Sequence, residues 1–408
     1  MQLSDRLSVI EASPTLALTA MANKLKAEGH DVVGFGAGEP DFDTPDYIKD
    51  AAILALKEGR TKYTPVVGIE PLRQAVTGYL KRDYNLNYKP EHVVITSGGK
   101  QALYNIFMSI LNKGDEVIIP APYWVSYKDI VMLSEGVPVI IETSFESGYK
   151  MSVQQLEAGI TPKTRAVIIN SPSNPTGVVY SENELRAFAE VLEKHPDIWI
   201  ITDDIYSKIL YDGHKFNNLA MLSEKLRERI IIADGLSKAF SMTGWRLGYA
   251  LTMNSGLVKA MEKIQGQSTS NATSFAQYGA VAALTGDLSF VAKMNAAFLE
   301  RRDYLCNILL EMPGIRVVKP AGAFYVFPDI SQLAKTDRFK QLMEKYGETT
   351  SISKAFSSAL LKEKMVAMVP GIAFGYDKGM RISYAISLEQ IKKGMERMGE
   401  FVRELAKS

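Results

Sequence analysis

Cysteine is almost missing from this 408-residue chain: there is one, Cys306. A lone cysteine makes no intramolecular disulfide, so a disulfide framework is excluded, and "RRDYLCNILL" places it at an apolar helix position in a core. Histidine is scarce as well. His30, His92, His195 and His214 lie far apart with no second His or Cys at ligand spacing, so no metal is expected. Net charge is close to nil, 47 Lys and Arg against 46 Asp and Glu, which removes any bulk attraction to nucleic acid or an acidic membrane surface. No apolar run approaches a membrane span, and "MQLSDRLSVIEASPTLAL" spreads acids and bases through the N-terminus. A cytoplasmic protein without nucleic-acid or membrane partners is the expectation. Low-complexity linkers and internal repeats are also missing.

What the chain does have is bulk and a pattern. With 46% hydrophobic and 23% charged residues it has material for at least one large core. Seven short apolar runs recur through the middle: "HVVIT" at 92, "EVIIP" at 116, "VPVII" at 137, "AVIIN" at 166, "IWIIT" at 198, "RIIIAD" at 229 and "LGYAL" at 247. Each lacks polar alternation, and stretches of helical spacing separate most of them. Strands buried on both faces and joined by helices predict an α/β fold with a mostly parallel seven-stranded sheet. After about residue 288 the pattern changes to a long helical segment, short strands such as "GAFYVF" and "MRISYA", and a closing amphipathic helix. The expected division is a large domain over 45–288 and a smaller α+β domain built from 1–44 and 289–408.

Ligands on such a sheet bind beyond the carboxyl ends of the strands. Unusual residues gather there, in "SGGKQALYNIF", "APYWVSY", "SPSNPTG", "DDIYSK" and "GLSKAFSMTGWR". The glycine pair of the first leaves amides open at a helix start, a seat for phosphate, although such a pair also serves as a plain tight turn. "GFGAGEP" at 34–40 lacks the third glycine of a dinucleotide site. Asn174 is able to donate and accept from its turn, or simply to shape it. Asp203 and Asp204 end a strand, so one of the two faces the site; a solvated acidic pair is the bland alternative. Arg246 suits a phosphate, and Lys238, set among small residues near a guanidinium, would have a lowered pKa and become nucleophilic. Trp124 offers a stacking face. Amine, carboxylate, phosphate cradle and aromatic are the parts that hold pyridoxal phosphate.

At these residues the chain resembles the fold type I, class I aminotransferases, in particular the bacterial aspartate aminotransferase branch that includes aspartate/prephenate enzymes. The resemblance runs from "AGEPDFDTP" at 37 through "TKYTPVVGI", "TSGGKQAL", "SPSNPTG", "TDDIY" and "SKAFSMTGWRLGY" to "MRISYA", nearly the whole chain. It implies pyridoxal phosphate joined to Lys238 as a Schiff base, Asp203 on the pyridine nitrogen, Tyr206 and Asn174 on the phenolic oxygen, and Trp124 against the ring. The amides of Gly99 and Lys100, with Arg246, would hold the phosphate, and Tyr63 would reach the phosphate of a neighbouring subunit in a homodimer with shared sites. Arg381 would take the substrate α-carboxylate with help from Asn174 and the backbone of Gly38, and Lys100 the distal carboxylate of aspartate or glutamate, beside Trp124.

Two departures qualify the likeness. Many relatives carry a hydroxyl three residues before the lysine, where this chain has Gly235, leaving Ser237 as the candidate. Relatives that accept prephenate carry a basic residue near positions held here by Glu11 and Ala12, which lowers the expectation for prephenate. The implied reaction moves the amino group of aspartate to 2-oxoglutarate, giving oxaloacetate and glutamate, with Lys238 as base. Prephenate, aromatic or alanine transamination, or β-elimination on the same fold, are the near alternatives. A ligand-sensing transcription regulator would need a DNA-binding domain that the 30 residues before "GFGAGEP" do not supply. A purely structural protein is the third option.

Overall fold

The computed structural model describes residues 3–10 and 14–407. After a helix at Pro14–Ala27 comes the short strand β1 (Val33–Gly34). The seven apolar runs then appear as β2 (Val93–Thr96), β3 (Glu116–Pro120), β4 (Val137–Ile141), β5 (Thr164–Asn170), β6 (Trp199–Asp203), β7 (Ile230–Gly235) and β8 (Gly248–Leu251). All seven join one sheet, in the order β2-β8-β7-β6-β5-β3-β4. Neighbours run parallel except at β8, which is antiparallel to both β2 and β7.

The lack of polar alternation has its expected cause. Ile95, Ile118, Val167, Ile200 and Ile232 pack into one apolar cluster, while Val94, Val117, Ile168, Ile201 and Ile231 pack into another on the opposite face. Both faces of these strands are therefore covered, each such side chain contributing roughly 1.5–3 kcal/mol by burial. Helices Gly99–Ile110, Ser126–Leu133, Val153–Gly159 and Glu182–Glu193 follow β2, β3, β4 and β5 in turn. Two start on capping boxes, Ser152 with Gln155 and Ser181 with Glu184, which satisfy amides that the first turn leaves open.

The rest of the chain adds β9 (Tyr325–Val326), β10 (Val366–Ala367), β11 (Val369–Pro370) and β12 (Met380–Ser383). Strands β11, β12 and β9 form an antiparallel sheet, and β1 pairs in parallel with β10. The long helices Ser289–Leu310 and Leu388–Ala406 pack here, and Cys306 lies in their apolar core together with Val33 and Phe35. The N-terminal segment thus folds with C-terminal elements through β1 and β10.

Candidate active site

The carboxyl ends of β2, β3, β5, β6 and β7 open on one cavity of about 430 Å³. Because β8 runs the other way, its start rather than its end lies at this edge, and that places Arg246, two residues ahead of β8, beside the loops that leave the parallel strands. Lys238, Asp203, Tyr206, Trp124 and Asn174 line the cavity, as do Gly99, Lys100, Ser237 and Arg246. Gly38 and Arg381 close it from the other side. Eleven positions singled out in the sequence come together; Tyr63 does not, standing 92% exposed.

Lys238 Nζ donates to the carbonyl of Gly38 at 2.5 Å. Burial of the amine brings its pKa down to about 8, the guanidiniums of Arg381 and Arg246 pushing the same way against Glu39 and Asp203. Asp203 moves in the opposite direction, up to about 6, because burial disfavours the carboxylate despite donors at Tyr127 and Ile205 and the nearby Lys238. The hydroxyl of Tyr127 donates to Oδ2 of Asp203 at 2.5 Å. Asp204 turns away from the cavity, as alternation along a strand requires, and accepts from Asn218 Nδ2 at 2.7 Å. Neither acid is solvated: both are buried, and burial holds the Asp204 carboxyl well above the usual range.

At one end of the cavity lies an anion seat. Gly98 has φ of +87° at the start of the helix Gly99–Ile110, which points its first amides into the cavity. Arg246 packs so closely that a Cβ on Gly98 would lie 2.6 Å from Nη2, and Arg246 Nη1 donates to the carbonyl of Thr243 at 2.9 Å. Ser237 is buried on the same wall. Gly235 stands off the cavity lining, its Cα side pressed against β8, where a Cβ would lie 3.0 Å from Gly248 Cα. Lys100 sits at the mouth with Nζ 5.1 Å from the centre of the Trp124 ring.

At the other end, Arg381 is 2% exposed yet donates only to Asn174 Oδ1 at 3.1 Å and to the carbonyl of Gly36 at 2.9 Å, with Nε unpartnered among the described residues. A buried guanidinium held by two neutral acceptors is a receptor for a carboxylate. Asn170 braces this corner: its side chain donates to the carbonyl of Asp203 and accepts from the amide of Asn174. Tyr127 and Asn170 were not singled out in the sequence. The first shares "APYWVSY" with Trp124, three residues on, at the start of the helix Ser126–Leu133, so the sequence marks the motif but not this residue. Glu11 and Ala12 lie outside the described residues.

Residues 30–398 match the family described as "Aminotransferase class I and II". An aspartate aminotransferase of Bacillus subtilis (strain 168) is 47% identical over 404 residues, covering 99% of this chain and 100% of that one. A probable aspartate/prephenate aminotransferase of Rickettsia bellii is 49% identical over 396 residues, 97% of this chain and 98% of its own. Among solved structures, the aspartate aminotransferase from Rhizobium meliloti superposes with a TM-score of 0.93 at 40% identity over 99% of both chains. That from Thermus thermophilus with maleate gives 0.89 at 39% identity, over 98% of this chain and 99% of that one. With amine, carboxylate, anion seat and buried guanidinium around one cavity, and a match through almost its entire length, the chain belongs to the class I and II aminotransferases.

Proposed function

We propose that the chain moves the amino group of aspartate to 2-oxoglutarate, with pyridoxal phosphate attached to Lys238. One observation carries the reading: a half-buried amine and a buried carboxylate, each pushed toward its neutral form, face one cavity between an anion seat and a buried guanidinium held by two neutral acceptors. A phosphorylated cationic heterocycle with an aldehyde fits all of these at once. Its phosphate would rest on the Gly99 and Lys100 amides, Ser237 and Arg246, and its ring nitrogen would meet Asp203. Tyr206 and Asn174 would face its phenolic oxygen and Trp124 its ring. The bound cofactor supplies an electron-accepting ring.

The protein's own groups do the rest. Asp203 would hold a proton on the ring nitrogen, and Lys238 Nζ, freed by the incoming amino group, would carry the proton from the substrate Cα. An amine brought down to about 8 is suited to that role near neutral pH. Arg381, with Asn174 and the Gly38 backbone, would orient the α-carboxylate. Lys100, beside Trp124, would favour a second carboxylate; the relative solved with maleate, a dicarboxylate, is in keeping with this. Two further parts of the proposal are a homodimer in which Tyr63 serves the neighbouring site, and a division into a large unit over 45–288 with a small one from 1–44 and 289–408.

The test is an absorbance titration of protein loaded with pyridoxal phosphate, using aspartate, glutamate, alanine, phenylalanine and prephenate. Loss of the visible band with aspartate and glutamate but not alanine is the expected result. Relatives named aspartate/prephenate aminotransferase give a second reading, which the prephenate arm decides. Asp203→Ala is expected to lose at least about a hundredfold in turnover while keeping the fold; a nearly fully active variant would remove Asp203 from the mechanism.

A further inference from the structure

The segment "GAFYVF" has no part in the reaction just described, yet Tyr325 within it touches both Tyr206 and Arg381. Its place follows from strand register. Ser383 of β12 pairs with Tyr325 of β9, and Arg381 lies two residues from Ser383 on the same face of β12, so the Tyr325 ring is the diagonal neighbour of Arg381. The ring centre is 4.7 Å from the Arg381 Cζ, and Phe374 flanks the same guanidinium at 5.0 Å. Tyr325 is fully buried, and its hydroxyl lies 3.0 Å from the hydroxyl of Tyr206. Gly38 is the third neighbour, since a Cβ there would lie 3.6 Å from the Tyr325 hydroxyl. The segment is fixed from behind, where the amides of Ala321 and Gly322 both donate to the carbonyl of Gly177, just past the Asn174 turn.

We infer that Tyr325 is a positioning residue with two roles in the site, its hydroxyl orienting Tyr206 toward the cofactor and its ring holding the Arg381 guanidinium for the substrate carboxylate. The inference rests on the pyridoxal phosphate reading above. In the pair of phenols only one proton lies between the oxygens. If Tyr325 donates it, Tyr206 keeps its own proton for the cofactor's phenolic oxygen and becomes a stronger donor through the hydrogen bond it accepts. The charged and titratable groups around the pair are Arg381, Asp203, Lys238 and Glu39, and burial keeps both phenols protonated. The ring acts separately. It replaces water on one face of a cation that has no ion-paired acid among the described residues, and a face contact of this kind is lost when the ring is lost.

The two contributions separate in two variants of the loaded protein. Tyr325→Phe keeps the ring and removes the hydroxyl. Its visible absorbance band is expected to titrate at a higher pH than in wild type, because the phenolic oxygen of the cofactor is less well stabilised as an anion, while KM for aspartate stays within about twofold. Tyr325→Leu removes the ring too, and KM for aspartate is expected to rise roughly tenfold, with kcat falling less, as befits a contact to the carboxylate-binding cation. An unmoved absorbance midpoint in Tyr325→Phe overturns the hydroxyl role, and so the inference, whatever Tyr325→Leu does to the fold. A Phe variant with KM raised as far as in Leu overturns the ring role. If wild type itself forms no visible band with pyridoxal phosphate, the functional reading fails and this inference with it. A normal wild-type band beside an unmoved variant isolates the failure to Tyr325.

Discussion

At the scale of single residues, the site combines groups that folding alone would not keep together. Lys238 is half-buried with its pKa brought down to about 8 from 10.5. Unfolding restores the higher value, so between those two pH values the unfolded chain binds more protons and this group's contribution to stability rises with pH. Below about pH 8 the whole cost of keeping the ammonium is present. Lys238→Met removes the charge at similar length. Without cofactor it is expected to exceed wild type by roughly 1–3 kcal/mol near pH 7, with the advantage shrinking toward about pH 10. Urea denaturation at both pH values measures it, and an advantage that grows with pH would contradict the assignment. Lys238, Asp203, Asn174 and Arg246 were legible because each is an unusual residue at or beside a strand of the large sheet, whereas Arg381, inside β12, was picked out only by the resemblance carried by "MRISYA". Tyr127 and Tyr325 were not, since their significance lies in hydrogen bonds to Asp203 and Tyr206, 76 and 119 positions away. Tyrosine in an apolar stretch reads as core, and both are indeed buried.

At the scale of elements, the seven strands were visible because burial on both faces removes polar alternation. Their mostly parallel arrangement was visible too, but the reversal of β8 was not, and that reversal decides why Arg246 reaches the cavity. Gly248, at the start of the reversed strand, is the tightest point of this arrangement: a Cβ there would lie 2.4 Å from the Gly99 nitrogen and 2.6 Å from the Gly98 carbonyl carbon. Both contacts are backbone, so only a shift of the helix start relieves them. Gly248→Ala is expected to cost about 1–3 kcal/mol in stability and to weaken pyridoxal phosphate binding, because it displaces the amides of the anion seat. Gly78→Ala is the control. Gly78 lies in the helix Glu70–Tyr84, and an added Cβ there would meet nothing within 4 Å, so alanine is expected to stabilise by about 0.5–1 kcal/mol and leave cofactor affinity alone. Thermal denaturation with a cofactor titration on each variant distinguishes them; equal behaviour would remove the special role of Gly248.

At the scale of the whole molecule, the proposed homodimer makes a site from two chains, Lys238 from one and Tyr63 from the other. Tyr63 is 92% exposed, and Ile53 and Leu54 on the nearby helix Asp46–Lys57 are exposed at 47% and 56%. Apolar side chains left open in this way suit a surface that a second copy covers. The consequence is a complementation that a monomer with self-contained sites does not give. Lys238→Ala lacks the amine in both sites of its own dimer, and Tyr63→Ala lacks the phosphate contact in both of its own. In a mixed dimer one site loses both groups, but the other combines the intact Lys238 of the Tyr63→Ala chain with the intact Tyr63 of the Lys238→Ala chain. Co-refolding the two variants is therefore expected to restore cofactor affinity and aspartate turnover to one site per mixed dimer, above the average of the separate variants. Sedimentation establishes the dimer. Activity of the mixture equal to that average, with mixed dimers present, would place Tyr63 outside the neighbouring site.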